Sequence, residues 1–203
     1  MTEPTADRSS SGRSPSGPAP DPAVRLVRGT FAIDDLDAFL ADLDGIAAET
    51  GAVVQAFDAD LVVSATQLRE AARLAARAIA RGEAVARDPG VEILLYAAGR
   101  RQIDRALELG VSEGERSAVV LIADFGDVPG ADRPPANLGV AVESVRERGL
   151  DATRIADDDA LTTAFDPDRV REFYGVTDRE LAATNGDLAD VVRERAALLD
   201  VEK

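Results

Sequence analysis

The chain has 203 residues and a mass of 21.3 kDa, enough for one domain with at most a tail. With no Cys and no His, it excludes disulfides, thiolate nucleophiles, Cys/His zinc sites, imidazole bases and Ser-His-Asp hydrolysis. Its 38 acids and 23 bases leave a formal charge of −15.

All but one of the bases are Arg, the exception being Lys203. This acid-rich, Lys-poor composition resembles that of proteins from salt-loving archaea, where carboxylates hold water and cations. About a quarter of the residues are Leu, Val, Ile or Phe, so a core is expected. The apolar runs fall far short of the roughly 20 residues of a membrane span, and no secretory signal pattern opens the chain. A soluble, cytoplasmic protein is expected.

Residues 1–22 contain 14 Ser, Thr, Pro or Gly and read as a disordered leader. Order is expected over 23–203, starting with a strand from Ala23 to Phe31. Ile33, Leu36, Phe39, Leu40, Leu43 and Ile46 recur at helical spacing up to Gly51. Ala52 to Phe57 reads as a second strand. Thr66 to Arg81 reads as a helix, opened by the capping-box pattern of Ser64 and Gln67 and closed by Gly82.

Glu92 to Leu109 reads as one helical stretch with Gly99 inside it. Ala118 to Ala123 is a continuous apolar run, hence a buried strand. A turn-rich segment from Pro129 to Pro135 leads to a helix over Leu138 to Arg148, and Ala152 to Ala156 is a short strand. Helices are expected over Asp157 to Phe165, Pro167 to Tyr174 and Asp178 to Leu199. The sum is a single compact α/β (α+β) domain: a small mixed sheet, about seven helices and a helical C-terminal third.

Charge is not spread evenly. Ser64 to Leu109 holds eight Arg and six acids, so this segment opposes the rest of the chain. Arg69, Arg73, Arg77 and Arg81 stand four apart, a spacing that advances about 40° per step and keeps them on one helix face. Like charges so placed repel by roughly 0.2–0.5 kcal/mol per pair. Glu70 can relieve Arg73, but Arg77 and Arg81 have no acid three or four residues away. Either acids from elsewhere meet this stripe or a polyanion does; phosphate suits the guanidinium fork. A solvated helix face is the plainer alternative. In the following stretch Arg100 and Arg105 have local acids, Arg101 shares Asp104, and Gln102 offers an amide able to read a base edge.

Two blocks carry a family resemblance. Phe57-Asp58-Ala59-Asp60-Leu61-Val62 is similar to an Asn/Asp-Ala-Asp-x-Val segment. Glu92-Ile93-Leu94 with Gly99-Arg100-Arg101-Gln102-Ile103 resembles a Glu-Ile-Leu…Gly-Gln-Arg-Gln-Ile signature. Ala98 and Arg100 depart from the common Ser and Gln. Together the blocks resemble the small kinase-binding subunit of the KEOPS complex, the CGI or TPRKB-like family. The resemblance implies a non-catalytic subunit without a cofactor. It would bind the complex's small atypical kinase directly and its transferase subunit indirectly, and recruit tRNA by the 3′ CCA end for threonylcarbamoyladenosine synthesis.

Single-stranded RNA ends are held by stacking and base-edge hydrogen bonds. On that basis Arg73, Arg77, Arg100, Arg101 and Gln102 are the RNA-contacting candidates, expected to gather into one positive pocket. The resemblance puts the kinase contact near the C-terminal helices, where Leu188, Val191 and Val192 are candidates; closing the core is their alternative role. Asp157-Asp158-Asp159 reads as a helix N-terminus rather than a metal site. Asp58 and Asp60 read as capping residues, with a small-molecule enzyme built on Asp58, Asp60 and Arg101 as a rival. A purely structural bridging subunit is the other rival.

Overall fold

The computed structural model describes residues 21–155, 165–184 and 186–201. In chain order these form β1 (Val24–Ile33), α1 (Leu36–Thr50), β2 (Val53–Asp58), a 3-10 turn (Ala59–Leu61), α2 (Ala65–Arg81), α3 (Pro89–Ala98) and α4 (Ile103–Leu107). There follow β3 (Gly114–Ala123), α5 (Leu138–Arg146), β4 (Thr153–Ile155), α6 (Pro167–Tyr174), α7 (Asp178–Ala183) and α8 (Leu188–Val201). The leader up to residue 20, Asp157-Asp158-Asp159 and nearly all of the helix expected from Asp157 to Phe165 lie outside the described residues.

The four strands run in the order β2-β3-β1-β4, and every pairing is antiparallel. The α+β class holds; the mixed sheet is corrected to an antiparallel one. Strands β1 and β2 point the same way with β3 between them, and β3 and β4 do so with β1 between them. The molecule is therefore two interleaved split β-α-β units, with α1 and α5 as their crossover helices. Among the described residues eight α-helices surround the sheet, against about seven expected.

Strand β3 sits in the middle and is buried on both faces, which is why its sequence is continuously apolar. Ala118, Val120 and Ile122 join the core under α1 and α5, with Val27, Phe31, Leu43, Ile46 and Val142. Val119, Leu121 and Ala123 face the opposite layer with Phe57, Leu68, Ile93 and Val192. That second layer consists of α2 and α3 packed on each other, with α8 against both.

Two long helical stretches expected from the sequence are each broken. Glu92 to Leu109 divides at Gly99, which terminates α3 in the left-handed conformation (φ 60°). The N–H of Gly99 donates to Tyr96 O (3.1 Å) and that of Arg100 to Leu95 O (3.0 Å), the paired bonds of a Schellman cap. A Cβ on Gly99 would also stand 3.1 Å from Arg195 Cβ, because α8 crosses there. Asp178 to Leu199 divides between α7 and α8. Here Asp187 Oδ1 accepts from Asp190 N and Asp190 Oδ2 accepts from Asp187 N, both at 3.0 Å, a reciprocal capping box. The Asp187 N–H, followed by Arg193, holds the Asp190 carboxyl below its ordinary range.

A buried polar junction joins the C-terminal helices to this layer. Ser64 Oγ caps α2 by accepting from Gln67 N (3.1 Å), as expected. The Gln67 side chain does not return to Ser64. Its Oε1 accepts from Val63 N (3.0 Å), and its Nε2 donates to Ala97 O (3.1 Å) and Tyr174 Oη (2.7 Å). Tyr174 Oη donates in turn to Ala97 O (2.9 Å). Burial raises the Tyr174 phenol above the usual tyrosine range, opposed by the Gln67 bond and the charge of Arg100.

Gly99→Ala should lower the melting temperature more than Gly82→Ala. Both glycines have positive φ, a strain of about 1–2 kcal/mol for an L side chain, but only Gly99 meets a neighbouring helix. Circular dichroism melts of the two variants check this. The raised Tyr174 phenol stabilises the fold fully below the unfolded value near 10, and that contribution is lost as pH rises beyond it. Denaturant stability should thus fall above about pH 10. Tyr174→Phe should lose about 1 kcal/mol at neutral pH and show a shallower alkaline decline.

Candidate nucleic-acid and kinase interface

Helix α2 has two chemically distinct sides. Ala71, Ala72, Ala75, Ala76 and Ala78 are buried, and small side chains let α3 pack close. Arg69, Arg73 and Arg77 are half-buried on the other side, with Arg81 exposed at its end. The stripe is not a row of bare cations. Arg73 Nε donates to Glu70 Oε2 (2.9 Å) with a second bond from Nη2 to Oε1, and Arg81 pairs with Glu83 at 2.7 Å. Glu83 reaches Arg81 because the Schellman turn at Gly82 folds the chain back, with Glu83 N bonded to Ala78 O. Arg69 and Arg77 also carry interactions.

Arg100, Arg101 and Gln102 occupy the turn between α3 and α4, not a helix face, as a consequence of the cap at Gly99. Arg100 is turned inward. Its guanidinium lies 5.1 Å from the centroid of the Phe173 ring and Nη2 bonds to Phe173 O, tying the turn to α6. It is thus a tie between the turn and α6. Arg101 is exposed, with Nη2 3.5 Å from Leu199 O near the end of α8. Gln102 is exposed at the N-cap of α4, and its side chain makes no cap bond.

The Gln67–Ala97 bond puts the start of α2 beside the end of α3. Arg73 and Arg77, six and ten residues further along α2, stand about 9 and 15 Å down its axis from that point. Arg73 and Arg77 thus stand on a helix, and Arg101 and Gln102 on a turn.

Beside the turn lies a cleft of about 420 Å³ lined by Leu61, Arg100, Arg105, Arg169, Glu172 and Phe173, among others. Arg169 was not singled out from sequence. It is gripped by two carboxylates, Asp58 Oδ2 and Asp60 Oδ2, each at 2.7 Å. The Asp58 bond leads the causes that raise its pKa above the ordinary arginine range. Asp58 Oδ1 also accepts from Asp60 N (3.0 Å), and Asp60 O accepts from Asp166 N (2.9 Å). The capping role of Asp58 holds. Both carboxylates meet Arg169. The tell-tale in the sequence was Asp166-Pro167, a helix start whose third residue could face the Asp58–Asp60 turn.

The C-terminal candidates sort by burial. Val191 and Val192 are in the core at 3% and 0% exposure, and Leu188 is half-buried against it. The alternative of closing the core describes the two valines. Leu198, at 51%, is the large apolar side chain that α8 shows to solvent among the described residues. No described helix is long and apolar enough to cross a membrane.

None of the curated proteins compared with the chain matches it. A family model described as kinase binding protein CGI-121 matches residues 39–200, more than three-quarters of the chain, from within α1 to within α8. The chain belongs to the CGI-121 family of kinase-binding proteins.

Proposed function

We propose that this protein is a non-catalytic subunit of the KEOPS complex, which makes threonylcarbamoyladenosine in tRNA. It binds the small atypical kinase of the complex, reaches the transferase subunit through that kinase, and recruits tRNA by its 3′ CCA end. The family match carries the kinase-binding part. The RNA part is supported by the concentration of Arg between Ser64 and Leu109 in an otherwise acidic chain.

Arg73 and Arg77 are the phosphate contacts in this reading. A guanidinium is a planar fork of N–H donors that matches phosphate oxygens two at a time. Arg101 and Gln102 are the base-edge and stacking contacts, presented on a turn rather than a helix. Contacts spread over a helix and a turn suit an extended single strand better than one nucleotide. At high ionic strength the Debye length falls to about 3 Å at 1 M, and such short-range contacts are what remain.

The kinase contact falls on the outer side of α8 around Leu198, in place of the buried Val191 and Val192. A bridging subunit without RNA contact is the second reading. The Glu70–Arg73 and Arg81–Glu83 pairs favour it, since they give the stripe partners within the chain.

Gel shifts with intact tRNA and with tRNA lacking CCA separate the readings. Arg73→Glu with Arg77→Glu should weaken intact tRNA at least tenfold, and Arg101→Glu with Gln102→Glu should abolish the preference for the CCA end. Equal binding of both RNAs by the unaltered protein would leave only the bridging role. Leu198→Glu should weaken kinase pull-down while tRNA binding and the melting temperature stay unchanged.

A further inference from the structure

Among the large apolar side chains that the described residues expose, three share one neighbourhood. Leu40 on α1 is 39% exposed, and Ile103 and Leu107, one turn apart on α4, are 40% and 53% exposed. Of the residues of α4 only Ala106 is buried, so this short helix turns its large apolar side chains outward. Apolar side chains gathered in this way on a strongly charged surface mark a site of contact.

A groove of about 440 Å³ lies between them. One wall is α1 through Leu40, Asp44 and Ala47; the other is α3 and α4 through Val91 and Leu107. Half-buried Val54 and Gln55 of β2 lie at the bottom. The strand has no free ladder to offer there. Val53, Ala56 and Phe57 are buried, Ala56 O accepts from Gln55 Nε2 (3.1 Å), and Asp58 N donates to Leu109 O (3.0 Å). The groove therefore presents side chains, and its occupant must satisfy its own backbone, as a helix does.

From these features we infer that the groove between α1 and α4 is a docking site for a basic amphipathic helix of a partner protein. Its apolar stripe lies between Leu40 and Leu107, anchored by residues three, four and seven apart. Charge decides the basic character. Asp44 and Asp88 line the groove, Asp37 stands one turn before Leu40, and Asp104 follows Ile103; all four are exposed. The nearby cations are engaged. Arg133 is directed to the carbonyls of Ala52 (2.7 Å), Gly51 and Ala47, and Arg105 of α4 pairs with Glu108 at 2.9 Å. Lys or Arg flanking the stripe would thus meet carboxylates on both rims.

Other occupants fit less well. Residues 1–20 contain four Pro and no Leu, Val, Ile or Phe, so they offer nothing to the apolar walls. A second copy would bring the acidic rims of two chains of charge −15 together.

Fluorescence anisotropy tests this with a labelled fourteen-residue peptide of Leu and Lys, its Leu at helical spacing. The controls are the same composition in strict alternation, which has no helical stripe, and the helical version with Glu for Lys. The helical Leu–Lys peptide should bind at least tenfold tighter than either. Leu40→Ser with Leu107→Ser should weaken it at least tenfold, with the circular dichroism spectrum of the protein unchanged. That pair leaves the charge as it was, so mere attraction to an acidic protein would not notice it. Leu150→Ser, which removes another exposed leucine, should leave binding unchanged. Equal binding of the alternating peptide, indifference to the Leu40 and Leu107 substitutions, an equal loss with Leu150→Ser, or no binding at millimolar peptide would each overturn the proposal. So would a dimer of the unaltered protein, seen by sedimentation, that the Leu40 and Leu107 substitutions dissolve. None of these outcomes touches the tRNA or kinase assays.

Discussion

A buried amide has four hydrogen-bonding positions and no water to fill them, so its neighbours must. Gln67 meets this demand with Val63 N, Ala97 O and Tyr174 Oη, which belong to three different stretches of chain. The start of α2, the end of α3 and the end of α6 are thereby set in one place. From that junction follow the position of the turn that exposes Arg101 and Gln102, the cleft beside it and the approach of α8 to Gly99.

Around the junction, arginine serves as mortar in an acidic protein. Arg169 spans Asp58 and Asp60; Arg100 lies over Phe173 and bonds to its carbonyl; Arg133 is directed to three carbonyls around the end of α1; Arg195 joins α8 to Glu180 of α7. A planar fork can serve two acceptors at once, which an ammonium cannot do with the same geometry. Exposed pairs of this kind contribute about 0–1 kcal/mol each, so their value is in orientation more than in stability. The dominance of Arg among the bases thus has a structural use besides any phosphate contact.

The strands and most helix ends were legible because their signals are local. Ser64 and Gly82 bound α2, Pro167 opens α6, and the apolar run at Ala118–Ala123 marks a strand buried on both faces. The breaks at Gly99 and before Asp187 were less so. A glycine within a periodic apolar pattern fits either a kinked helix or a cap, and only the crossing of α8 over Gly99 makes the cap the packed solution. The site was legible in part. Exposed positions such as Arg101 and Gln102 follow from polarity, whereas Arg100 and Val192 look the same in sequence whether they face water or a neighbour.

The sequence by itself determined the absence of imidazole and thiol chemistry, the acidic body with one Arg-rich segment, the α+β alternation and, through two short motifs, a family likeness. Tertiary structure alone decided that Asp58 and Asp60 hold Arg169, that Val191 and Val192 close the core, and that β2 stands at one end of the strand order. The reason is range. Periodicity and capping act within a few residues, while the partner of a charge and the neighbour of a strand come from more than a hundred residues away, as Arg169 does for Asp58.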